Sequence, residues 1–152
     1  MLTVFVDADA CPVKEEVYRV ARRYDWKVAV VTNQWMRVPP DDGIELVVVD
    51  GGFDAADDWI VERAGAQDVV ITTDIPLAAR CLSGGARVLS PKGREFTEDS
   101  IGDALATREL MSQLRDLGEV SGGPAPFSKK DRSQFLQRLD TVIQAVRRQG
   151  PA

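Results

Sequence analysis

Five aspartates in this chain stand where a carboxylate can act on a ligand. Asp7 and Asp9 close the apolar run Leu2-Thr3-Val4-Phe5-Val6, Asp54 and Asp57 open a helical pattern just after Gly51-Gly52, and Asp74 follows Val69-Val70-Ile71. Carboxylates crowded into one cleft raise one another's pKa, so a charged cluster needs bound cations. Oxygen-only ligation selects hard ions, here Mg²⁺ or Mn²⁺, and sites of that kind typically cleave phosphodiesters by activating water and neutralising the leaving oxygen. The same residues also have plainer uses. Asp9 could cap the next helix and Asp7 fix the turn, while Asp54 with Asp57 resembles a capping box in a first turn whose acids suit the helix dipole. Capping alone calls for one acid, and the first strand ends in two.

The absence of histidine narrows the chemistry further. It removes Ser-His and Cys-His pairs, an imidazole base, and the usual zinc or non-haem iron sites. Carboxylate, lysine, hydroxyl and thiol chemistry is left. Cys11 and Cys81 have no metal spacing; Cys11 reads as a small residue lining the site and Cys81 as core. A net charge of -5 argues against a generally basic nucleic-acid binder, although local bases can still serve an acidic site. No N-terminal run is long enough for a signal peptide or a membrane span, so a reducing cytoplasm with no membrane contact is the expectation.

The elements that must position these acids follow from periodicity. At 152 residues and 44% hydrophobic content, one domain over residues 1–148 is expected, with 149–152 as a frayed tail. Residues 3–6 read as a strand buried on both faces, and Pro12 as the first turn of an amphipathic helix carrying Val13, Val17, Val20, Ala21 and Tyr24 on one face. Further strands are expected at 26–32, 44–49, 68–73 and 86–89, with helices at 53–64 and from Ile75-Pro76 to Gly84-Gly85. Trp35 and Met36, ahead of the turn Pro39-Pro40-Asp41-Asp42-Gly43, read as a lid or a packing plug. Residues 91–96 read as a basic loop. A helix over 100–117 has apolar residues on two faces, one of them suited to a partner subunit in a homo-oligomer. A last helix, opened by Ser128 and Asp131, docks Phe135, Leu139, Val142, Ile143 and Val146 on the core.

Strand and helix in alternation predict an α/β fold: a parallel sheet of about five strands built by right-handed crossovers, plus two C-terminal helices. In the order 3-2-1-4-5 the first and fourth strands are neighbours at the switch point, and Asp7 and Asp74 converge at the carboxyl edge where ligands bind.

The motifs Val6-Asp7-Ala8-Asp9-Ala10-Cys11-Pro12, Gly52-Phe53-Asp54 with Asp57-Asp58-Trp59-Ile60, Ile71-Thr72-Thr73-Asp74 and Gly122-Gly123-Pro124 with Asp131-Arg132 closely resemble the YaiI/YqxD family of uncharacterised bacterial proteins. More distantly the chain resembles PIN and NYN ribonuclease domains, which implies a PIN-like three-layer fold and a metal-dependent nuclease. Carried over by motif, that likeness assigns the metal-binding acids to Asp7, Asp54 and Asp74. Two positions depart from the NYN pattern: Pro76 stands where a second acid is frequent, and Ala10 where an asparagine is. Either Asp9 and Asp57 supply the missing oxygens, or the site has fewer ligands and little activity.

Two other readings stand beside this one. Asp7 and Asp9 after one strand, with Thr32-Asn33 after the next, resemble haloacid-dehalogenase-type phosphatases, in which Asp7 would be the nucleophile. A non-catalytic module is the third, holding RNA or a protein through Lys92-Gly93-Arg94 and Lys129-Lys130-Asp131-Arg132. For RNA as partner, the substrate-binding residues expected are Lys92, Arg94 and Asn33. Gly93 would let the loop backbone approach a phosphate.

Overall fold

The computed structural model describes residues 2–9, 11–52, 54–118 and 127–149. Along the chain run β1 (Thr3–Asp7), α1 (Lys14–Tyr24), β2 (Lys27–Thr32), β3 (Ile44–Val48), α2 (Ala55–Arg63), β4 (Val69–Ile71), α3 (Ile75–Ser83), β5 (Arg87–Leu89), β6 (Glu95–Phe96), α4 (Glu98–Asp116) and α5 (Lys129–Gln149). The strands form one sheet in the order β3-β2-β1-β4-β5-β6. The first five are parallel, in the order expected, and β6 returns antiparallel to β5. The Gly122-Gly123-Pro124 motif and the tail from residue 150 lie outside the described residues.

Alternation along β1 divides the core. Val4 and Val6 point to the side covered by α1 and α5, where Val17, Phe135, Leu139 and Ile143 are buried with them. Phe5 points to the other side, against Ile60 of α2 and Leu77, Ala78 and Cys81 of α3. The period of two carries Asp7 to this second side, toward the helices that start with Asp54 and Asp74. Thr72, just past β4, lies beside it because Val6 pairs with Ile71. Arg80 ties α3 to α2 through Asp58 at 2.9 Å. On the far side, Asp140 of α5 accepts from Tyr24 at 2.6 Å and from Arg23 at 3.1 Å.

Several sequence expectations are corrected at element ends. Pro12 lies in the turn before α1, whose N-cap is Val13, with no side-chain capping bond; Asp9 is therefore not spent on a cap. Asp54 is the N-cap of α2, again without a side-chain bond, so the box expected with Asp57 does not form. A capping box does form at Thr97 and Ser100, and it starts α4 at Glu98 rather than at Ser100. Residues 91–96 are a tight hairpin and not an open loop: Ser90 N–H donates to the Arg94 carbonyl at 2.8 Å, and Gly93 adopts φ 85°. Two residues of strand are too short to leave an alternating pattern.

Met36 packs against the α1 and α5 side of the core while Trp35 is exposed. Ile101 of α4 packs on the α2 and α3 side, while Leu105, Leu110 and Leu117 are exposed. No described helix is long and apolar enough to cross a membrane.

Candidate active site

Asp7 is the one acid of the five that the fold buries, at 9% exposure. Its Oδ2 accepts a hydrogen bond from Thr72 Oγ1 at 2.8 Å. Thr72 Oγ1 in turn accepts the backbone N–H of Asp74 at 2.9 Å, which locks the hydroxyl so that its proton points at Asp7. Asp74 caps α3, with Oδ1 accepting from Leu77 N–H at 3.0 Å, and Pro76 sits beside it in the first turn where no N–H is needed. Two strand ends and one helix start are thereby fixed to one another by a single side chain.

Electrostatics show which acids share this place. Burial pushes the Asp7 carboxyl up to about 6; the Thr72 bond opposes this, and the charges of Asp57, Asp9 and Asp74 add to it. Asp57, in the first turn of α2, is also raised, by burial first and then by Asp74 and Asp54, with Arg80 opposing. The cluster around Asp7 is therefore Asp57, Asp9 and Asp74. Asp54, exposed at the tip of α2, acts on Asp57. Asp9 is exposed in the turn after β1.

Asp7, Asp54 and Asp74 do not make a closed cage. Among the described residues, no group of three or more His, Cys, Asp or Glu side chains could hold a metal ion by itself. The donor set suits a different mode of binding. Mg²⁺ keeps several waters and takes one or two carboxylates plus substrate phosphates, and an all-carboxylate cluster offers that kind of ligand.

The remaining candidates divide between the site and the scaffold. Asn33 is exposed in the bend after β2. The hydroxyl of Thr32 is spent on folding that bend, donating to the Gln34 carbonyl at 2.9 Å and accepting its N–H at 3.1 Å. Lys92 and Arg94 lie on the β5–β6 hairpin and line a cavity of about 680 Å³, together with Thr73 and Ile75, the residues on either side of Asp74. Arg108 of α4 lines the same cavity. In the second basic segment Asp131 and Arg132 have structural roles. Arg132 binds Glu16 at 2.7 Å and the Pro12 carbonyl at 2.9 Å, and Asp131 forms the capping box of α5 with Ser128.

Gly93 serves packing against α5. A Cβ there would meet the Gln134 carbonyl carbon at 2.8 Å, so the glycine lets the hairpin press on the backbone of α5. Burial disfavours both thiolates: it raises Cys11 above its ordinary value and pushes Cys81 up to about 11.

Sequence reasoning missed Thr72 and Arg108. The polar pair Thr72-Thr73 directly after a buried strand is a signal for the first, since a hydroxyl at a strand end must find a partner. Arg108 sits in a helix whose mixed pattern gives no hint of which face meets a cavity.

Comparison with known proteins bears on the whole of this arrangement. A family model described as "Uncharacterized BCR, YaiI/YqxD family" matches residues 5–145, which include all five acids and the cavity-lining bases. A UPF0178 protein of Rhodospirillum centenum is 60% identical over 152 residues, covering 97% of this chain and 99% of its own. UPF0178 proteins of Rhodopseudomonas palustris, 55% identical with 95% and 94% covered, and of Caulobacter vibrioides, 54% identical with 98% and 97% covered, are similar throughout. No solved structure matches the chain.

Proposed function

This chain belongs to the YaiI/YqxD family of bacterial proteins, and we propose that it is a phosphodiesterase acting on RNA with Mg²⁺ or Mn²⁺ as cofactor. The observation that carries the reading is Asp7: a carboxyl at the C-terminal end of the central strand that burial pushes up to about 6, with the charges of Asp57, Asp9 and Asp74 adding to the shift. A perturbed carboxyl with charged partners at a sheet's ligand-binding edge is the physical mark of a functional site. A divalent ion bound there would stabilise charge on the phosphate and lower the pKa of a bound water.

The residues of the chain divide the work. Thr72 holds Asp7 Oδ2, which leaves Oδ1 for a ligand or for a proton taken from attacking water. The Leu77 N–H holds Asp74 Oδ1 and leaves Oδ2 in the same way. Asp57 and the exposed Asp9 supply the remaining oxygens, with Asp54 behind Asp57. Lys92 and Arg94 steer the phosphate toward Asp74 along the cavity wall, and Asn33 offers an amide from the neighbouring strand end.

The test is hydrolysis of bis(p-nitrophenyl) phosphate, which probes the bond without any base recognition. Mn²⁺-dependent nitrophenolate release by the wild type, lost about a hundredfold or more in Asp7→Asn, is expected. Equal rates in the two proteins would remove the phosphodiesterase reading.

A further inference from the structure

The cavity beside Asp74 has a composition that phosphate steering alone does not require. Its wall from the β5–β6 hairpin and α3 is apolar, with Ile75 and the buried ring of Phe96. Phe127 closes it from the chain leading into α5, held by the Arg132 guanidinium at 5.0 Å from its ring. The same lining carries the cations Lys92 and Arg94 of the hairpin and, from α4, Arg108. Among the described residues neither Arg94 nor Arg108 makes an ion pair. Two guanidiniums in the lining of a cavity that also carries Ile75, Phe96 and Phe127 match a ligand with a flat apolar end and an anionic end. At about 680 Å³ the cavity is in the range that holds a small molecule.

We infer that this cavity, formed between the hairpin and α4, binds one nucleoside phosphate unit, its base against Ile75, Phe96 and Phe127 and its phosphate on Arg94 and Arg108. Asp103, on the α4 wall, offers a carboxylate to sugar hydroxyls or base amino groups. The inference rests on the proposed function for its direction: the cavity reaches Thr73 and Ile75, so the next phosphate along a chain would lie toward Asp74. The same chemistry could come from a free mononucleotide or from one unit of a single-stranded chain.

Binding is measured by titration calorimetry on the full chain in EDTA, so that a failure of metal-dependent hydrolysis leaves the result intact. The probes are AMP, UMP, adenosine, inorganic phosphate and a single-stranded pentanucleotide. AMP is expected to bind at least tenfold more tightly than either adenosine or phosphate, and Arg94→Ala with Arg108→Ala to weaken it tenfold or more. Ala104→Trp, which adds bulk on the α4 wall without removing charge, should weaken AMP but leave phosphate unchanged; its melting temperature checks folding. Tighter binding of the pentanucleotide than of AMP assigns the unit to a chain, and equal binding assigns it to a free nucleotide. Phosphate binding as tightly as AMP, or AMP binding unaltered in the double variant, would overturn the inference.

Discussion

Thr72 Oγ1 and Asp7 Oδ2 are joined by a 2.8 Å hydrogen bond between residues 65 positions apart, across the ends of β4 and β1. The hydroxyl donates to Asp7 while it accepts the Asp74 N–H, so three residues of the site share one oxygen. Thr72→Val keeps the shape and removes that oxygen. It leaves a buried carboxylate oxygen and a backbone N–H unpaired, at a cost of about 1–3 kcal/mol each at most. Thermal melting should show the loss, and NMR titration of Asp7 should show its pKa moving above about 6, since the lost bond is the influence that holds it down.

Asp7→Asn should move stability the other way. The Asp7 carboxyl titrates at about 6 in the fold and near 3.8 when unfolded, so the folded chain holds the extra proton between those values. Stability therefore falls as pH rises through that window, and above it the full cost of the charged form, of order 3 kcal/mol at most, is present. The variant should melt about 5–10 °C higher than the wild type at pH 7.5 and close to it at pH 4, without divalent ions. Adding Mn²⁺ should raise the wild type and leave Asp7→Asn where it was, by mass action. A variant that melts lower at pH 7.5 would mean that the carboxylate is structurally required.

The parallel order of five strands was legible because each strand ends in a polar cluster and each helix in a recognisable signal, from Asp7-Ala8-Asp9 to Gly84-Gly85. That order alone brings Asp7 and Asp74 to one edge. What the sequence could not distinguish is which acid after the third strand turns inward. Asp54 and Asp57 are both acids in a helix start, and only the docking of α2 decides that Asp57 presses on Asp7 while Asp54 stays exposed. The β6 hairpin was illegible for a different reason. Its shape comes from Gly93 meeting the α5 backbone at Gln134, a contact between segments about forty residues apart.

Gly93→Ala tests that contact. The new Cβ would stand 2.8 Å from a backbone carbon that has no flexible end to move, at a φ of 85° that alanine rarely adopts. Overpacking and backbone strain together should destabilise the protein by about 1–3 kcal/mol, read as a lower melting temperature. A melting temperature equal to the wild type would mean that α5 yields there.

For the bases, Lys92→Ala with Arg94→Ala should weaken single-stranded RNA binding across all sequences. Removing two phosphate contacts lowers the slope of log affinity against log salt by about 1.4. Lys92 also acts on Asp131 of the α5 capping box, so Arg94→Ala alone should account for the larger share. Fluorescence anisotropy over a series of salt concentrations reads this directly, and an unchanged slope would retire the hairpin as a phosphate clamp.

The central claim, that the acids around Asp7 cleave RNA, is tested most directly with 5′-labelled single-stranded RNA incubated with millimolar Mn²⁺ and purified protein. Shortened products are expected from the wild type, with none in EDTA, and a loss of about a hundredfold or more in both Asp7→Asn and Asp57→Asn. Intact RNA with the wild type, or cleavage that survives both substitutions, would contradict the account.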